Sequence, residues 1–322
     1  MKNLIRIFSF VLVLTFILTA CTAPTAAPTA VPTEAPVPGV EPTAEVAVPD
    51  EDVLYLNLTW HQHQPLYYKD ANGVYTRPWV RVHATKDYYD MAAMVKPYEN
   101  VRMTVNITPV LMKQLDDFTE NGAIDYYWLL AEKPVSELTD DEKVFILTRF
   151  FDANWDNIIG RFPRYKELLN LRGGTTSEEI EKAMTTFSEQ DFRDLQMWFN
   201  LAWIDPEFLA ESPLKELVEK DTGFTEDDKV VLFDEVRRIM KLVIPLHKEM
   251  QDSGQIQVIT TPYAHPILPL IYNTDIASVG NPTAELPERY SWPNDAIVHL
   301  QKSVEMYEAH FGRAPVGLWP GE

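Results

Sequence analysis

Trp60-His61-Gln62-His63-Gln64-Pro65 closes an apolar run, Val53-Leu54-Tyr55-Leu56-Asn57-Leu58-Thr59, that reads as a buried strand. Strand side chains alternate, so His61 and His63 share one face at the strand's end. Pro65 has no N–H to extend a ladder and stops the pairing. Two imidazoles, two amides and an indole thus gather where an α/β barrel holds its active site. The competing reading is a pair of core histidines bonded to backbone. Four successive polar residues are costly to bury, which counts against it.

Working outward, the residues that follow alternate between helical and extended patterns. Residues 83–96 carry Tyr88, Met91, Ala92 and Val95 on one stripe and predict a helix. Residues 101–107 alternate with period two and predict a second strand, and Pro109 then opens a helix to about residue 118. This order predicts an α/β fold with a parallel sheet. Between about 139 and 252 every pattern is helical: 139–151, 163–170, 177–203, 206–219 and 225–251. We read this as a large helical insertion between two strands, lying over the mouth. Acids within it, such as Glu178-Glu179 and Asp227-Asp228, read as solvated helix faces.

A third strand, 256–261, leads into Pro262-Tyr263-Ala264-His265-Pro266, so a His again follows a strand end. A helix over 293–311 precedes a short fourth strand, 316–319, which runs into Pro320-Gly321-Glu322. A chain that stops on a strand tip reads as part of a longer protein, truncated at its C-terminus.

The 322 residues allow one large domain or two ordinary ones, and 46% hydrophobic against 24% charged residues suits a sizeable core. A net charge of −20 repels phosphate, so nucleic acid is excluded as a partner. Eight Trp and fourteen Tyr offer flat faces for sugar rings, although most are expected to fill the core. The one cysteine, Cys21, forbids an intrachain disulfide. Lys2 and Arg6 precede an apolar stretch, 7–18, too short to span a bilayer unaided, and Leu18-Thr19-Ala20-Cys21 closes it. This resembles the lipobox of bacterial lipoproteins. The resemblance implies a signal over 1–21, a lipidated Cys21 and a tether to the extracellular face of the cell membrane. An ordinary secretory signal is the competing reading, and both export the chain. Residues 22–52, with Pro at 24, 28, 32, 36, 38, 42 and 49, predict a semi-rigid spacer ahead of a folded domain over 53–322.

The strand ends deliver His61 and His63, then His265, then Glu322, with Asn106 at the end of the second strand as a candidate fourth contributor. In a parallel sheet these ends lie on one side. The set suits two chemistries. One is covalent glycoside hydrolysis, with a carboxylate nucleophile and a carboxylic acid about 5–5.5 Å away. The other is metal-assisted hydrolysis, for which His-x-His is also a ligand spacing.

From about residue 54 to 322 the chain resembles glycoside hydrolase family 57, the α-amylase, amylopullulanase and 4-α-glucanotransferase family. Three segments carry the resemblance, in the family's order: His61-Gln62-His63-Gln64-Pro65; Gly254-Gln255-Ile256-Gln257-Val258 through His265-Pro266-Ile267-Leu268-Pro269; and Gly317-Leu318-Trp319-Pro320-Gly321-Glu322. Phe151-Asp152-Ala153-Asn154-Trp155 and Pro163-Arg164-Tyr165 look like the amylopullulanase-type members. The resemblance implies an incomplete (β/α)7, TIM-like barrel and a retaining enzyme acting on α-glucans. Glu322 would be the nucleophile. His61, His63, Gln64 and His265 would bind sugar hydroxyls, and Trp60 and Trp319 would wall the cleft. It implies no metal and no cofactor. The family's general acid is an Asp that follows the nucleophile, so the 322 residues alone are expected to be inactive or nearly so. Two rivals stand: a metal-dependent, polysaccharide deacetylase-like hydrolase, and a non-catalytic glycan-binding lipoprotein.

Overall fold

Three short parallel strands carry the candidate site. They are β1 (Thr59–Gln62), β2 (Met103–Ile107) and β3 (Ile256–Ile259), in the order β1-β2-β3. The computed structural model describes residue 54 and residues 56–321, the latter within one of two compact units. The expected signal with Cys21, the spacer over 22–52 and the nucleophile Glu322 lie outside the described residues.

The register opposes His61 to Asn106, and Asn106 to Ile259. β2 is central, and Met103, Val105, Asn106 and Ile107 are all buried. β1 corrects the expected boundaries. Among the described residues the strand begins only at Thr59, and Leu54, Leu56 and Leu58 ahead of it are exposed. The reason lies opposite. β2 starts only at Met103, so the ladder begins where Leu58 accepts from the Thr104 N–H, and the described residues ahead of it face no partner strand. The expected fourth strand is reduced to one parallel bridge, Thr260 with Leu318. Its rungs are Thr260 N–H to the Gly317 carbonyl at 3.2 Å and Trp319 N–H to the Thr260 carbonyl at 2.8 Å. The described residues therefore form an α/β fold with a small open parallel sheet.

The helices are α1 (Trp79–Ala84), α2 (Asp87–Ala93), α3 (Pro109–Thr119), α4 (Tyr126–Glu132), α5 (Asp140–Arg149), α6 (Pro163–Arg172), α7 (Ser177–Thr186), α8 (Glu189–Leu201), α9 (Pro206–Leu209), α10 (Leu214–Lys220), α11 (Glu226–Met240), α12 (Val243–Asp252), α13 (Leu268–Tyr272), α14 (Ala277–Gly280) and α15 (Pro293–Phe311). Between β2 and β3 the described residues hold no strand. The helix expected over 177–203 divides because Ser188 caps α8 and exchanges a capping box with Asp191. Glu179 and Asp228, expected only as solvated acids, close capping boxes with Thr176 and Thr225.

Most of the core lies in these helices. Tyr127 stacks on Phe150 with ring centroids 5.6 Å apart, and Trp128 on Phe233 at 4.6 Å. Beneath them Arg81, fully buried, grips both carboxylate oxygens of Asp125 at 2.6 and 3.3 Å and reaches Asn200 Oδ1 at 2.7 Å. Asp125 also caps α4 through the Trp128 N–H. A buried charge pair of this kind persists only when each polar atom is matched.

Candidate active site

Alternation along β1 sends neighbouring side chains to opposite faces. Gln62 turns inward and is buried. Its Nε2 lies 3.3 Å from Nε2 of His247 on α12, while His247 Nδ1 lies 2.8 Å from the Val243 carbonyl. A carbonyl only accepts, so Nδ1 carries the imidazole proton and Nε2 accepts from the Gln62 amide. Burial pushes the His247 pKa down to about 4, outweighing the opposite effect of the Val243 carbonyl. The end of β1 is thereby tied to α12 through a neutral ring.

His61 turns outward. Its Nδ1 lies 2.5 Å from Oδ1 of Asn106, directly across the ladder. Asn106 is buried, and its Nδ2 donates to the Ile259 carbonyl at 3.4 Å. That bond orients the amide so that its oxygen faces His61. In the neutral ring Nδ1 then carries the proton and Nε2 the lone pair. One chain of contacts so links the ends of all three strands.

His63, two residues on, stays on the His61 side, with ring centroids 5.5 Å apart. His265, beyond β3, stacks on His63 at 4.6 Å and lies 4.8 Å from His61. Trp319, beyond the bridge, stacks on His61 at 5.6 Å and 26°. One ring nitrogen from each histidine lies within 4.8 Å of the others. His61 is exposed, and His63 and His265 are partly buried, each with a further interaction. Such a triad can donate to or accept from sugar hydroxyls, and its lone pairs can also hold a cation.

Backbone strain places His265. Its φ is +52°, in the left-handed region, directly ahead of Pro266. A non-glycine residue there costs about 1–2 kcal/mol, and the proline adds its own restriction. The turn is closed by the His265 N–H donating to the Pro262 carbonyl at 2.8 Å. Gly321 approaches the same turn. Its φ is +88°, and a Cβ there would stand 2.4 Å from the Pro266 carbonyl oxygen, so only glycine fits without a shift.

The structure thus brings His61, His63, His265 and Trp319 together. Gln64 sits beside them but accepts from the Tyr67 hydroxyl at 2.6 Å and shapes the loop. Trp60 alternates to the other face of β1 and is 45% exposed. Two buried polar groups behind the site, His247 and Gln114, stand outside the motifs that the sequence offers. Gln114 pins the loop through the Pro65 carbonyl at 3.0 Å and the Tyr67 N–H at 2.9 Å. Their one local signal is a polar residue on an otherwise apolar helix face.

A sequence profile described as glycosyl hydrolase family 57 matches residues 57–322. Among solved structures, a family 57 branching enzyme from Thermococcus kodakaraensis is similar at 18% identity and a TM-score of 0.37, over 83% of this chain and 32% of that one. An α-amylase from Thermotoga maritima is similar at 17% identity and a TM-score of 0.35, over 82% and 35%. A family 57-type branching enzyme from Pyrococcus horikoshii gives 18% and 0.35, over 83% and 34%. The chain therefore spans about a third of the length of these enzymes. No curated protein matches it. By the profile match over 57–322, the chain belongs to glycosyl hydrolase family 57.

Proposed function

We propose that this chain carries substrate-holding residues and the Glu nucleophile of a retaining glycoside hydrolase acting on α-glucans such as starch, pullulan and maltooligosaccharides. One observation carries the reading. Three imidazoles and the Trp319 indole converge at the C-terminal ends of parallel strands, within the stretch that matches the family. The strands and the bridge at Leu318 are, on this reading, part of an incomplete (β/α)7 barrel interrupted by the helical insertion.

In the proposed reaction Glu322 attacks the anomeric carbon, forming a glycosyl–enzyme bond as the glycosidic oxygen leaves. A second carboxylic acid protonates that oxygen, then deprotonates the water that releases the sugar. The resemblance puts that acid after the nucleophile in sequence. Support for Glu322 is its neighbour Gly321, which packs on the Pro266 carbonyl next to His265. His61, with its proton fixed on Nδ1, presents the Nε2 lone pair to a sugar hydroxyl, while Trp319 offers a flat face to the ring.

Titration calorimetry with maltooligosaccharides tests the reading. Binding should weaken at least roughly tenfold in His61→Ala, the loss of one good hydrogen bond at about 1.4 kcal/mol. Equal affinity in the folded variant contradicts it. We also propose that Cys21 is lipidated and tethers the protein to the outer face of the membrane. A Cys21→Ala protein that stays in the membrane fraction to the same extent would contradict this.

A further inference from the structure

We propose that His61, His63 and His265 form a binding site for one borderline divalent cation of the Zn²⁺ type. The inference goes beyond glycan binding and does not depend on it. Three ring nitrogens, one from each residue, lie within 4.8 Å of one another. A tetrahedral Zn²⁺ with Zn–N of about 2.0–2.1 Å needs its ligands about 3.3 Å apart, which small side-chain rotations supply. The ring centroids stand 4.6 to 5.5 Å apart, His63 stacked on His265 and His61 tilted to both.

A second, independent feature points the same way. Ligand histidines usually give their other ring N–H to an oxygen, which fixes the tautomer and the ring plane. His61 does this: Nδ1 faces Asn106 Oδ1 at 2.5 Å, and Asn106 is buried and held by the Ile259 carbonyl. The lone pair that His61 offers is then on Nε2. His265 is held in a strained left-handed conformation, at φ +52°, that brings its ring to the other two. The net charge of −20 favours any cation. Three imidazoles select Zn²⁺, Ni²⁺ or Cu²⁺ over Ca²⁺ and Mg²⁺, which take oxygen ligands. Water fills the remaining position. The cation and a sugar contend for the same imidazoles.

The experiment titrates the chelator-treated protein with Zn²⁺ alone by calorimetry, and with Co²⁺ alone by visible absorption. Expected are one saturable equivalent of Zn²⁺ and the intense d–d bands of tetrahedral Co²⁺, neither displaced by excess Ca²⁺ or Mg²⁺. His63→Ala and His265→Gly each weaken Zn²⁺ binding at least tenfold. Glycine suits the left-handed backbone at 265, so that variant keeps its turn. Asn106→Leu weakens binding about 10–100-fold, as loss of a ligand's supporting bond does. His83→Ala, outside the cluster, leaves it unchanged. No saturable Zn²⁺ binding, an octahedral Co²⁺ spectrum, or unchanged affinity in His63→Ala and His265→Gly overturns the proposal. None of these measurements uses a glycan, so their failure leaves the glycan reading standing.

Discussion

His61 Nδ1 and Asn106 Oδ1, 2.5 Å apart, join directly opposed positions at the ends of β1 and β2. The contact converts a strand ladder into a tautomer selector, because an amide oxygen held by its own second bond can only accept. Asn106→Leu should release the choice. In ¹⁵N–¹H correlation spectra of the imidazoles, wild-type His61 should show its proton on Nδ1, and the variant should shift toward Nε2–H. An unchanged tautomer in the variant would contradict the assignment.

His247 makes the link behind β1 acid-sensitive. Its folded pKa is pushed down to about 4, while the unfolded ring titrates near about 6.5. Between those values the unfolded chain binds more protons, so stability is present above the unfolded pKa and is lost as pH falls from about 6.5 to about 4. At about 1.36 kcal/mol per unit, the loss amounts to about 3 kcal/mol. His247→Gln keeps a partner for Gln62 and removes this titration. Urea midpoints measured across that window should fall for the wild type and flatten for the variant. Parallel curves would refute the role.

At His265 the backbone and the side chain pull apart. The left-handed φ of +52° favours glycine, so His265→Gly should be about 1–2 kcal/mol more stable than His265→Ala. Both should lose sugar affinity alike. Denaturation of the pair of variants measures the difference, and an alanine variant as stable as the glycine one would remove the strain from the account.

The buried pair of Arg81 and Asp125 holds α1 against α4. Asp125→Ala strands a guanidinium that is otherwise matched and should cost about 3–5 kcal/mol. Replacing both partners, with Arg81→Met and Asp125→Leu, should cost clearly less, since no unpaired charge remains. A double replacement as damaging as the single one would show that packing, rather than the stranded charge, sets the cost.

Local rules reached much of this in the sequence. β2, the helix opened by Pro109 and the helix over 293–311 follow from period and from proline at the first turn. The shared face of His61 and His63 follows from strand alternation alone. What stayed hidden depends on partners far along the chain. The start of β1 is set by where β2 begins, and an apolar run cannot report that. Gln62 reads as one more polar residue at a strand end until His247, 185 residues away, is seen to accept from it. The breaks at Phe187-Ser188 and Lys241-Leu242 interrupt patterns whose apolar period continues across them. Trp60 and Trp319 look equivalent in sequence, yet it is Trp319 that stacks on His61.

The central claim is that these imidazoles serve a glycosyl transfer to Glu322. The direct measurement uses an activated 5-fluoro-α-glucosyl fluoride, whose leaving group needs no general acid, followed by peptide mass spectrometry. One 5-fluoroglucosyl adduct is expected, on Glu322, with slower labelling in His61→Ala. An adduct on another carboxylate, or no adduct at saturating reagent, would contradict it.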